Sequence, residues 1–224
     1  MKHIKNSIVL FSLLFLAGII LYFSLQGTVQ ASLDKRVQES LELIQQASVC
    51  IVKEDYQCAV QLLEKAHEYN SLNPGAYALL GLCYYEMGNY SLAHKYLVNS
   101  YNMGMVAVET AEMLVHILVE NGYLVEANRY LRTTTREFPD DKRVILLNGK
   151  LNYYRGNYKE SVEGLSELLQ KEPVPDVYKY LGLSYFALGK EEQAEEYLIA
   201  YQESKGLKAA SLEAMHRIAE EDGF

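Results

Sequence analysis

One spacing constrains this chain more than any other property. Ala59, Ala93, Ala127, Ser161 and Ala194 follow one another at intervals of 34, 34, 34 and 33 residues, each with a leucine or equivalent large apolar residue four places on. Gly88, Gly122, Gly156 and Gly189 keep the same step five places earlier, and Glu54 stands in that place in the first unit. A fixed period of this length predicts one supersecondary unit copied and stacked. Within each unit the apolar residues recur with helical period and the breaks fall at turn residues: Asn73-Pro74, Met87-Gly88-Asn89, Asn121-Gly122, Arg155-Gly156-Asn157 and Leu188-Gly189-Lys190. Glycine takes the left-handed conformation that ends a helix with least strain, so each unit reads as two helices of about a dozen residues joined by a tight turn.

The residues in these units resemble the tetratricopeptide repeat, whose pattern is an aromatic, Leu-Gly and Tyr in the first helix, with Ala and a large apolar residue in the second. Tyr77, Leu80, Gly81, Tyr84, Ala93 and Leu97 match, with Tyr for the usual Trp, and so do Tyr178, Leu181, Gly182, Tyr185, Ala194 and Leu198. The third unit keeps Leu114, Ala127, Leu131 and Pro139 but has Ala111 for the aromatic and Val115 for the glycine. The fourth keeps Gly149, Leu165 and Pro173 and departs at Asn148, Asn152 and Ser161. The first unit holds Leu43, Ala47, Cys50, Ala59 and Leu63, which keep size and position more than identity. The resemblance spans residues 38–205 and implies an all-α fold, a solenoid of about five helix-turn-helix repeats. The expected organisation is an N-terminal segment 1–33, an array 34–206 (units 38–73, 74–107, 108–141, 142–174 and 175–206), and a capping helix over 207–224. That last stretch gathers Leu207, Ala210, Leu212, Met215, Ile218 and Ala219 largely on one face, as a terminal repeat needs to cover its apolar side.

No charged side chain occurs between Asn6 and Leu33, and Ile8 to Leu25 is apolar but for two serines and a glycine. A helix of that length, about 27 Å, comes close to the roughly 30 Å hydrocarbon core of a bilayer. Lys2, His3 and Lys5 precede the run, which favours a cytoplasmic N-terminus and an exported array. The run is longer than a signal peptide's core, so the expectation is an uncleaved transmembrane anchor; Val29-Gln30-Ala31 is an acceptable cleavage sequence, so secretion after cleavage near Ala31 is the alternative. The style of anchor and the habits of the family imply a bacterial inner-membrane protein with its array in the periplasm or outside.

Net charge is −8, and leaving out Lys2 and Lys5 puts 19 basic against 29 acidic residues. An acidic body without a basic stripe repels phosphate backbones, so no nucleic acid is expected, and a basic or neutral protein partner fits better. No Gly-rich phosphate loop, serine elbow or Cys-x-x-Cys pair is present, so no catalytic residue, small-molecule substrate or cofactor is expected. His116 has Glu112 and Glu120 four residues to either side on one helix face; a metal carrier built on that stripe is the rival reading, although metal sites ordinarily recruit ligands from more than one element. Export permits one disulfide, most plausibly Cys50–Cys58 across the first turn, but Cys50 and Cys83 fall at helix-packing positions, where small buried hydrophobes are the default.

In the resembled family the first helix of each unit lines a concave face. Rotating away from the packing seam of Tyr77, Leu80 and Tyr84 gives Leu82, Tyr85 and Glu86 as groove residues of the second unit. The counterparts are Glu112, His116 and Glu120 in the third, Lys150, Tyr153 and Tyr154 in the fourth, and Lys179, Leu183 and Phe186 in the fifth. The family's carboxylate-clamp members carry a cluster of basic residues and asparagine, which Glu112 and Glu120 of the third unit interrupt here. The resemblance therefore implies a non-catalytic scaffold or chaperone-like adaptor, tethered to a membrane and holding a partner peptide or protein in its groove. The same array could instead face the cytoplasm as a docking receptor.

Overall fold

The computed structural model describes the backbone of residues 2–171 and 173–206 and the side chains from residue 25 onward, residue 172 again excepted. Ten α-helices make up the described residues. They pair as α1 (Lys2–Val52) with α2 (Tyr56–Tyr69), α3 (Pro74–Glu86) with α4 (Tyr90–Asn102), and α5 (Val108–Glu120) with α6 (Leu124–Glu137). The array continues with α7 (Lys142–Tyr154) and α8 (Tyr158–Lys171), then α9 (Pro175–Ala187) and α10 (Glu191–Ser204). The second helix of each pair packs on the first helix of the next, and α3, α5, α7 and α9 lie against one another in turn. Five hairpins thus form two layers, with the odd-numbered helices on the inner one. The expected cap over 207–224 lies outside the described residues.

Local chemistry sets the helix boundaries. The Asn73 side chain accepts from the Ala76 N–H at 3.1 Å with Pro74 at the first helical position, and Asn89 does the same for Leu92 at 3.2 Å. Asp55 caps α2 through the Cys58 N–H at 3.0 Å. Between the helices of each pair the chain turns through a left-handed residue, glycine in the second to fifth units (Gly88 has φ 74°) and Glu54, at φ 60°, in the first. A side chain in that conformation carries strain of about 1–2 kcal/mol. Glu54→Gly is therefore expected to stabilise the first hairpin by about 1 kcal/mol, visible as a higher urea midpoint with an unchanged slope; no gain would mean that the Glu54 side chain offsets its own strain.

The small residues work by closeness. Ala59, Ala93, Ala127 and Ser161 are wholly buried and Ala194 is 1% exposed. Gly81, Gly149 and Gly182 lie against Leu97, Leu165 and Leu198, where a Cβ would meet the leucine side chain inside contact distance. The departures from the repeat pattern have compensations. The Ser161 hydroxyl donates to the Gly149 carbonyl at 2.9 Å and accepts from Ser184 at 2.9 Å, and the Asn148 amide donates to Thr135 Oγ1 and the Val144 carbonyl. A buried hydroxyl with partners is tolerated; one without them is not.

Two features differ from the sequence reading. Cys50 and Cys58 form a disulfide, their Cα atoms 6.1 Å apart, rather than Cys50 packing as a free thiol; Cys83 is free and buried. The helical turn at Glu54 folds the two sulfur-bearing positions onto each other, which a count of packing positions does not convey. Nor is there a break between segment 1–33 and the array. Helix α1 runs through both; residues 25–38 are exposed, though the Arg36 guanidinium already donates to the Glu68 carbonyl of α2 at 2.9 Å before Glu39 and Ser40 pack against that helix. Neither proline nor a capping sequence interrupts this stretch, so nothing stops the helix.

Candidate functional site

The inner layer opens into a trough of about 450 Å³ bounded by α3, α5, α7 and the ring of Tyr180 from α9. Its floor is apolar: Leu82, Met113, Val115, Leu146, Leu147 and Leu151. Its walls are aromatic. The Tyr85 hydroxyl and His116 Nδ1 are 3.0 Å apart, and both rings meet Tyr90 edge-on. At the other end Tyr154 and Tyr180 share a hydroxyl–hydroxyl hydrogen bond of 3.1 Å.

The trough is acidic in effect because its cations are already engaged. Arg143 donates to Glu109 at 2.7 Å and to Asp141 at 3.2 Å, and Lys150 is paired with Asp176. The hydrogen bond from Arg143 holds the Glu109 carboxyl below its ordinary value. Glu86, Glu112 and Glu120 have no ion pair among the described residues. Burial pushes the Glu112 carboxyl up, with Arg143 opposing the shift and the charges of Glu109 and Asp141 adding to it. Burial likewise raises the Tyr85 phenol, followed by the influence of Tyr90 and then of the charges of Glu86, Glu112 and Glu120.

The sign of the Glu112 shift gives a prediction. A carboxyl whose folded-state value is raised stabilises the fold below its unfolded value and loses that contribution as pH rises through the folded one. Glu112→Gln is therefore expected to raise the melting temperature slightly at pH 7 and to leave it unchanged near pH 3. A variant that melts lower than the parent at pH 7 would show that Glu112 holds the trough together.

Eight of the twelve groove residues read from the sequence line this trough: Leu82, Tyr85, Glu86, Glu112, His116, Glu120, Lys150 and Tyr154. Four do not. Tyr153 and Leu183 are 1% exposed and belong to the core of the last two pairs. Tyr153 is the repeat equivalent of half-buried Tyr85, yet its ring lies among those of Tyr154, Tyr158 and Tyr180, the last 5.6 Å away between centroids, whereas Tyr85 meets Tyr90 and His116. Lys179 lies over the Tyr180 ring, and Phe186 packs against the α7–α10 core. The sequence reading missed nine lining residues, among them Glu109, Arg143, Leu146 and Tyr180. Glu109 is one turn before Glu112, and Arg143 and Leu146 are two turns and one turn before Lys150, so following each groove face back along its helix finds three of them. Among the described residues no three His, Cys, Asp or Glu side chains, Glu112, His116 and Glu120 included, are grouped to hold a metal ion.

An all-helical array of stacked hairpins with a trough on its inner layer defines a helical-repeat solenoid. Two tetratricopeptide-repeat family profiles match the sequence, over residues 53–98 and 146–207. The chain carries tetratricopeptide repeats over these two stretches. Among solved structures it is similar to YrrB, titled a tetratricopeptide-repeat protein with an unusual peptide-binding site (18% identity, 86% of this chain and 97% of that one, TM-score 0.68). It is similar also to MamA from Desulfovibrio magneticus RS-1 (14%, 75% and 96%, TM-score 0.66) and to PilW, a type IV pilus biogenesis factor (18%, 83% and 90%, TM-score 0.66). These likenesses are of fold. No curated protein matches the sequence.

Proposed function

We propose that this chain is a non-catalytic interaction scaffold, anchored in a bacterial inner membrane by its N-terminal helix, that holds a partner polypeptide outside the cytoplasm. The observation that carries the reading is the trough itself: an apolar floor between aromatic walls, open along the inner layer, is the shape that takes side chains of another chain. YrrB offers a precedent of similar fold, since its structure is described as having a peptide-binding site.

The Cys50–Cys58 bond supports the exported orientation over a cytoplasmic docking receptor, because disulfides persist in oxidising compartments. The apolar run from Ile8 supplies the anchor by sequence. Among the described residues no helix is long and apolar enough to cross a membrane, and the side chains of residues 8–24 lie outside those described. Between run and array, the exposed stretch 25–35 of α1, before Arg36 reaches α2, makes a helical stalk of about 16 Å, which would hold the array at a fixed distance from the bilayer.

The test places a photocrosslinking residue at Tyr85 or Tyr154 in the trough, or at Val125, which is 87% exposed on α6, in the full-length membrane-inserted protein. Discrete polypeptide adducts from the trough positions alone are expected. Equal yields from Val125, or none from the trough, would overturn the reading. Protease added to intact spheroplasts should digest the array; protection relieved only by detergent would reverse the orientation.

A further inference from the structure

The trough has a chemistry that selects its guest. Long cationic side chains are amphipathic, with an apolar stem and a charged head, and they bury the stem while keeping the head among polar partners. The trough offers the complement: a floor of Leu82, Met113 and Val115 under a rim carrying Glu86, Glu112 and Glu120. Both cations of the lining are held by other partners, Arg143 by Glu109 and Asp141 and Lys150 by Asp176, so they offset the rim only in part. An acidic guest would meet three carboxylates and no available positive charge.

Two further observations narrow the guest. The carboxylates share the trough lining with apolar side chains and, among the described residues, are not grouped to hold a metal ion, so a cation carried on an apolar stem suits the lining better than a bare ion. A guanidinium or ammonium laid against Tyr85 would also gain from the face of the ring. The volume of about 450 Å³ accommodates more than one side chain, so apolar neighbours of the cation can occupy the floor beyond Val115 toward Leu147 and Leu151.

Building on the scaffold reading above, we infer that the trough takes an extended segment of a partner protein in which a lysine or arginine sits among apolar residues, its head received by Glu112, while Glu86 and Glu120, about two turns further along the rim, add to the negative potential it meets. Glu112 anchors the recognition, being half-buried on α5 between the other two helices. Its burial without an ion pair is a cost to the free protein that a cationic guest removes. The net charge of −8 adds long-range attraction for such a segment.

The test uses the full-length chain, immobilised in mild detergent, and four mixtures of nonapeptides. Flanking positions are drawn from Ala, Leu, Tyr and Ser, and the centre is fixed as Lys, Arg, Gln or Glu. The Lys and Arg mixtures should be retained about fivefold to tenfold over Gln, with Glu retained least, and Glu112→Gln should erase the preference while the Gln mixture binds as before. Raising salt should weaken the Lys and Arg mixtures selectively. Equal retention of all four, or preference for Glu, would overturn the charge selection while leaving a peptide-binding trough intact. A Leu146→Glu variant, which puts a charge into the floor, separates the two claims. If it retains every mixture as well as the parent does, binding lies outside the trough and both readings fail.

Discussion

Ala127→Glu is expected to abolish cooperative unfolding of the array, with a loss of about 4 kcal/mol or more and a thermal transition that falls by tens of degrees or disappears. Ala127 is wholly buried on α6 within the cluster that joins α4, α5, α6 and α7, beside Leu114 and Leu131. A carboxylate there would be desolvated with no cation in reach, and uncompensated buried charge is among the few changes that large. Because each hairpin is supported only by its neighbours, damage to the third unit separates the first two from the last two. The measurement is a far-ultraviolet circular dichroism melt, with hydrogen exchange to locate the loss. Ala127→Ser is the matched control. Serine occupies the same place in the fourth unit, where its hydroxyl finds the Gly149 carbonyl, so a loss of only about 1 kcal/mol is expected. A parental melt for the glutamate variant would remove the basis for the repeat register.

The register was legible in the sequence because the two contacts that set it allow few residue types. A helix must end in a left-handed residue at Gly88, Gly122, Gly156 and Gly189, and two helices must touch at Ala93, Ala127 and Ala194. Such positions repeat as letters, so they can be counted. Groove residues obey a looser rule. Their helix face follows from the seam, which is how Tyr85, His116 and Tyr154 were found, but their exposure depends on what the next unit lays over them. Tyr85 and Tyr153 occupy equivalent positions with the same side chain, but Tyr85 meets Tyr90 and the exposed His116 while Tyr153 is enclosed by Tyr154, Tyr158 and Tyr180. The engagement of Arg143 and Lys150 is of the same kind. Their partners Glu109 and Asp176 sit 34 and 26 residues away, so reading one helix at a time counts the cations as available when the array has already used them. Net trough charge is therefore a property of stacked units, which a single unit does not reveal.

Opposite outcomes from one substitution at two glycines would test the seam directly. Gly164, within α8, has nothing within 4 Å of the place a Cβ would take, so Gly164→Ala is expected to stabilise by about 0.5–1 kcal/mol through helix propensity and a less mobile unfolded chain. Gly182→Ala makes the same gain, but its Cβ would lie 2.6 Å from Leu198 Cγ and 3.2 Å from the Leu198 backbone nitrogen. The leucine tip could rotate aside; the backbone of α10 cannot, so α9 and α10 must part, and a net loss of about 2 kcal/mol is expected. The third unit shows what parting involves. Val115 stands at the equivalent position opposite Leu131, both are buried, and α5 and α6 meet less intimately than α9 and α10 do. There the surrounding side chains have adapted to the wider spacing, so Val115→Gly would leave a cavity instead of restoring a closer fit, with a loss of about 2–3 kcal/mol. Urea titrations of the three variants decide the matter. If Gly182→Ala were as stable as Gly164→Ala, the closeness of α9 to α10 would be slack, and the repeat's glycine would need an explanation other than packing.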